Sequence, residues 1–163
     1  MKQFAGLVSG LSSVLDKMSG LLMVSIMLLI VANIFLRVLF NHPVLGAYEY
    51  VGFLTAALIG LSLANCAVKK GHIAISFLVE RLPERVQAVV DIFINTAALL
   101  FWGFSAWYIC AYAKSIAVNG VVSATTQTPI SPFIYLVAIG LFVLCLVLLA
   151  NLIESIKKAA FDR

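Results

Sequence analysis

Four stretches of this chain are each long and apolar enough to cross a lipid bilayer, and no other feature restricts its fold so severely. A spanning helix needs about 20 mainly apolar residues. The sequence supplies them at Met18–Phe40, Ala47–Val68, Val86–Ala113 and Pro132–Ile153. A run such as LLMVSIMLLIVANIFL has none of the two-residue alternation that a membrane β-barrel strand requires. The composition agrees: 63% of the 163 residues are hydrophobic and 11% charged, against about 45–50% and about 25% in soluble domains. One core of this size cannot hide that much apolar surface from water. The expected fold is an all-α integral membrane protein, one membrane domain over residues 1–163.

Lys and Arg are distributed unevenly between the two sides. Lys2, Lys17, Lys69, Lys70, Arg81, Arg85, Lys157, Lys158 and Arg163 fall on one side of the spans, and only Arg37 and Lys114 on the other. The positive-inside rule then puts both termini in the cytoplasm. Tyr48, Tyr50, Tyr108, Tyr112 and Tyr135, with Trp107 and Phe133, lie near the expected outer ends, where amphipathic rings favour the membrane interface. The first apolar run is too long for a signal-peptide core, contains Asn33 and Arg37, and is followed by no small-x-small cleavage site, so it reads as a retained helix.

Two segments read as lying on the membrane. Near the N-terminus, Phe4, Leu7, Val8, Leu11 and Leu15 share a helical face opposite Gln3, Ser9, Ser13 and Asp16. Between spans two and three, GHIAISFLVERLP places Ile75, Leu78, Val79 and Leu82 on one face and His72, Ser76 and Glu80 on another, with Pro83 ending the pattern. Too short to span, this piece reads as an in-plane cytoplasmic arm whose wet surface carries Lys69, Lys70, His72, Ser76 and Arg81. The outer connection, KSIAVNGVVSATTQTPIS, is polar with a turn signal at Asn119-Gly120.

Ionisable residues deep in a bilayer are costly and mark function; here Arg37, Glu49, Asp91 and Lys114 all lie near span ends. Arg37 and Glu49 stand at similar depth on antiparallel neighbours joined by the short NHPVLG hairpin. They read as two independent interfacial side chains, or as an ion pair within the chain or to a partner. In span two, Gly52, Ala56, Gly60 and Ala64 recur every fourth residue, a smooth face that lets helix backbones approach in lipid, either within the bundle or against another protein. Asn33, Asn65, Asn95 and Thr96 are candidate interhelical hydrogen-bonders, and Cys66, Cys110 and Cys145 read as small packing residues. No GxSxG, HExxH or phosphate-loop motif occurs, the two histidines lie at opposite membrane surfaces, and no basic face suits nucleic acid. Neither catalytic nor metal-binding residues are expected, and no cofactor.

From Glu49 through KKGHIAISFLVERLPERVQ the chain resembles the DctQ-like small membrane subunit of tripartite ATP-independent periplasmic (TRAP) transporters. The likeness rests on Lys70, Gly71, His72, Ile73 and Ile75, then Leu82-Pro83; on Pro132, Tyr135 and Gly140 entering span four; and on Arg37 late in span one. Ser76 stands where the family usually has Asp. The resemblance implies a non-catalytic subunit that packs on and anchors a large multi-helix subunit holding the sodium and substrate sites. A periplasmic binding protein would deliver an organic acid, such as a C4-dicarboxylate or sialic acid, at the bacterial inner membrane. With the sequence ending at Arg163, a subunit separate from its large partner is expected, in contact with membrane phospholipid. The competing expectation is a self-sufficient oligomeric four-helix transporter with Glu49 as its coupling carboxylate.

Overall fold

The computed structural model describes residues 2–69 and 84–161. Its elements are α1 (Lys2–Phe40), α2 (Ala47–Val68), α3 (Glu84–Val118) and α4 (Ser131–Phe161). Each contains a stretch long and apolar enough to cross a membrane. Among the described residues the only β pairing is an isolated antiparallel bridge between Val122 and Pro129 in the connection from α3 to α4.

The expected amphipathic N-terminal helix is not a separate element. It is the first part of α1, one uninterrupted helix of 39 residues, about 58 Å at helical rise. The physical reason lies between Asp16 and Gly20, which holds no proline and no capping turn. Ser19 instead returns its hydroxyl to the Asp16 carbonyl (2.7 Å), and Ser25 does the same to Leu21 (2.9 Å), leaving the helical ladder unbroken. Within the chain, one side of α1 is buried from Ser12 onward. Leu15 is buried, but its companions are Ser12 and Ser19, with Leu22, Ile26, Leu29 and Asn33 continuing the stripe half-buried; Leu11 is exposed. Steps of three and four keep these residues on one side of a helix, and that side rests on α2. The expected in-plane arm, with Lys70, His72, Ser76 and Arg81, lies outside the described residues.

The third helix has 35 residues and the fourth 31, about 52 Å and 46 Å. Both exceed a hydrocarbon thickness of about 30 Å, so tilt or projection beyond the bilayer is required. The chain packs as two helical hairpins, α1 with α2 and α3 with α4, joined mainly through α2 against α4 and to a lesser extent through α1 against α4. The core therefore sits between α2 and α4: Leu61, Ala64 and Ala67 meet Leu141, Val143, Leu144, Val147 and Leu148, and Leu15 closes the inner end. A third of the most apolar stretch of α2 and of α4 is buried within the chain, and none of α1's or α3's. Leu21, Leu28 and Ile34 of α1, and Phe93, Phe104 and Trp107 of α3, face outward. Such rows suit a lipid solvent and not water.

Candidate functional site

Two constructions tie the hairpins together, one polar at the end of the bundle where α2 begins and one apolar midway along it. The polar one begins with the turn from α1 into α2. Asn33 of α1 accepts the Val44 amide on its Oδ1 at 2.8 Å, and Gly46 takes the left-handed conformation (φ 70°) that opens α2. Glycine adopts this φ without strain, and a Cβ here would run into the Thr126 side chain. The first turn of α2 carries Glu49, where a carboxylate is favoured by the helix dipole.

The Glu49 carboxylate is taken up by the outer connection. Thr125 donates its amide at 2.9 Å, Thr126 its amide at 3.3 Å, the Thr126 hydroxyl lies at 3.2 Å, and the Ser123 hydroxyl donates to the same group. The donors come from a segment that closes on itself. The Ser123 amide donates to the Thr128 carbonyl (2.9 Å) and the Gln127 amide to the Ser123 carbonyl (3.1 Å). A hydroxyl chain feeds the carboxylate from α2's own next residue: Thr128 donates to Thr126 at 2.9 Å, which leaves Tyr50 to donate to Thr128 at 3.1 Å. The turn signal at Asn119-Gly120 is where α3 stops. Gly120 is left-handed (φ 61°), its amide reaches the Ala117 carbonyl and the Val121 amide the Ile116 carbonyl, the paired pattern of a Schellman cap.

Arg37 is not part of this network. It is exposed, the carboxylate's partners all come from residues 123–126, and the ion pair between described residues is Lys69 with Asp16 at 3.9 Å. The intrachain Arg37–Glu49 pair therefore does not form. Loop amides and hydroxyls held in a closed turn supply fixed donors, whereas a long guanidinium side chain would have to be ordered first.

The apolar construction is the crossing of α2 and α4. A Cβ built on Gly60 would stand 2.9 Å from the Val137 Cα, and one on Gly140 would overlap the Gly60 carbonyl. The two backbones touch, a geometry open to glycine alone. Of the four-residue face, Gly60 and Ala64 are buried here, while Gly52 and Ala56 are exposed. Each four-residue step overshoots a full turn by about 40°, so the stripe winds away from α4 towards the outer end. Ala57 and Leu61 occupy the inward positions beside Gly60 instead. Above the crossing, Phe53 and Phe133 stack with ring centres 5.1 Å apart.

Lys69 ends α2, its amide bound to the Asn65 carbonyl at 3.0 Å and its ammonium against Asp16 of α1. Cys66 and Cys110 are exposed and Cys145 half-buried, all as free thiols. Asn95 and Thr96 return their side chains to the carbonyls of Asp91 and Ile92 on their own helix. Among the described residues no group of three or more His, Cys, Asp or Glu side chains is placed to hold a metal ion. Ser123, Thr125, Thr126 and Thr128 are not singled out by the sequence, where the segment reads only as polar. The available signal is a Ser/Thr-rich cluster opposite a carboxylate with no cation nearby in sequence.

A family model described as tripartite ATP-independent periplasmic transporters, DctQ component, matches residues 26–158, a range that takes in parts of all four helices. No curated protein matches the chain.

Proposed function

The chain belongs to the DctQ component family of tripartite ATP-independent periplasmic transporters, and from that membership we propose that it serves as a non-catalytic scaffold subunit. In this reading it packs on and anchors a large multi-helix membrane subunit, which binds sodium and an organic acid of the C4-dicarboxylate or sialic acid class. A periplasmic binding protein delivers that acid. The membrane is the bacterial inner membrane, both termini are cytoplasmic, and the Glu49 end faces the periplasm. Lys69, with Lys70, His72, Ser76 and Arg81, then lies at the cytoplasmic surface beside phospholipid headgroups.

One observation carries the reading beyond the family match: the carboxylate nearest to a transport role is already occupied. Glu49 meets donors from three loop residues at one end of the bundle, Arg37 and Lys114 stand near helix ends, and Asp16, further inside α1, faces Lys69. A chain that coupled ion flow to transport by itself would place a carboxylate deeper. Arg37, exposed and outside this network, is left available to an acidic group of the large subunit. Gly52 and Ala56 offer that subunit a smooth approach on α2.

The test is a mild-detergent isolation of the tagged chain from its native membrane, followed by mass spectrometry. A much larger polytopic protein in stoichiometric amount is expected. A homo-oligomer alone would overturn the scaffold reading and return Glu49 to the centre of a transport mechanism.

A further inference from the structure

The two hairpins are joined in three ways of different chemistry. At the inner end they share the apolar cluster of Leu15, Leu61, Ala64, Ala67, Leu144 and Val147. At mid-depth the backbones touch at Gly60 and Gly140. At the outer end the main polar bond between them is the uptake of Glu49 by Ser123, Thr125 and Thr126, with Tyr50 on Thr128 beside it. Close-packed apolar contacts hold the first two whatever the state of any titrating or hydrogen-bonding group. The third depends on one carboxylate.

We infer that Glu49 is a positioning residue: its carboxylate clasps the outer connection to the start of α2 and so keeps the two hairpins from splaying about the Gly60–Gly140 crossing. The inference rests on the scaffold reading above, since a scaffold serves its partner by not yielding. It assigns the carboxylate no part in carrying ions or protons. Two features of the site suit a clasp. Two of the donors are backbone amides, Thr125 and Thr126, so the carboxylate seats the main chain and not a side chain free to swing away. The connection is also pre-shaped to deliver them, through its own Ser123–Thr128 and Gln127–Ser123 bonds, so little order has to be created when the clasp closes.

A covalent bond can replace a clasp but not a coupling carboxylate, and the structure provides the place for one. A Cβ on Gly46 would lie 3.5 Å from the Thr126 Cβ, inside the range of about 3.5–4.5 Å that a disulfide needs. In a background with Cys66, Cys110 and Cys145 changed to Ala, the pair Gly46→Cys and Thr126→Cys should oxidise to a cross-link. The measurements are made on the chain assembled with its large subunit. The amides of Thr125 and Thr126 are followed by hydrogen exchange, and sodium-driven uptake by the complex is followed in vesicles with the binding protein present. Glu49→Ala is expected to speed exchange at both amides by about tenfold or more and to depress uptake. Adding the oxidised link between positions 46 and 126 to Glu49→Ala should restore uptake, and a reductant should abolish the rescue.

Three results would overturn the clasp. They are unchanged exchange at Thr125 and Thr126 in Glu49→Ala, unchanged uptake despite faster exchange, and a formed link that leaves uptake depressed. The last would mean that the carboxylate itself is needed. Failure of the unaltered chain to assemble with a large subunit would instead sink the scaffold reading, and is seen before any variant is made.

Discussion

Gly60 and Gly140 show how little freedom a single position has in this bundle. Association of helices in lipid rests on close van der Waals approach, and here the approach leaves no room for a Cβ on either side. Gly60→Leu should separate α2 from α4 and destabilise the fold by about 3 kcal/mol or more, as forced overpacking does; a thermal unfolding series in detergent reads this directly. Gly52→Leu, at an exposed position of the same face, should leave the melting of the isolated chain nearly unchanged. Arg37 and Glu49 give a second test at this scale. Exchanging their charges in a double variant should not rescue the defect of Glu49→Arg, because the Thr125 and Thr126 amides that seat the carboxylate offer a cation no acceptor. Rescue, measured as recovered assembly with the large subunit, would show that the two charges meet after all. The smooth face of α2 is legible in the sequence because Gly and Ala at a fixed spacing have one physical use in lipid. The Glu49 donors are not, because they lie 74 to 77 residues away, beyond the reach of any local pattern.

Among the elements, α1 departs furthest from expectation. Its polar–apolar pattern near the N-terminus is plain, yet the same pattern suits a helix lying on a membrane and the inner end of a helix leaning on a bundle. Tertiary contact with α2 chose the second. One consequence is the Ser12 side chain, fully buried with no hydrogen-bond partner for its hydroxyl among the described residues. Leaving a buried hydroxyl unpaired costs about 1–3 kcal/mol, so Ser12→Ala should hold or raise the melting temperature; a fall would show that the hydroxyl has a partner. Asp16 and Lys69 form a different kind of contact, exposed and at 3.9 Å. Pairs of that kind contribute about 0–1 kcal/mol and weaken with salt. Asp16→Asn should therefore change stability by less than about 1 kcal/mol, and less still in high salt, by the same unfolding assay.

For the molecule as a whole, the sequence makes a prediction about orientation that labelling can test. Nine basic residues on one side of the spans against two on the other predict termini on the inside. Cysteines introduced at Lys2 and at Ala124, in a background free of native thiols, should therefore differ in labelling. A membrane-impermeant reagent added outside should reach position 124 in spheroplasts and leave position 2 unmodified until the membrane is broken. The reverse pattern would invert the protein and place the Glu49 clasp in the cytoplasm. Local composition and spacing suffice for the class of protein: lipid as its solvent, helices as its elements, four spans and their hairpin order. They suffice because a backbone in hydrocarbon must satisfy its own hydrogen bonds within each segment. Which faces meet was left to tertiary packing. Packing buried the Gly60–Ala64 half of the small-residue stripe against α4, set which side of α1 rests on α2, and gave Glu49 to a distant loop and not to Arg37. Those choices depend on distances between residues far apart in the chain, where packing and donor geometry compete on nearly equal terms.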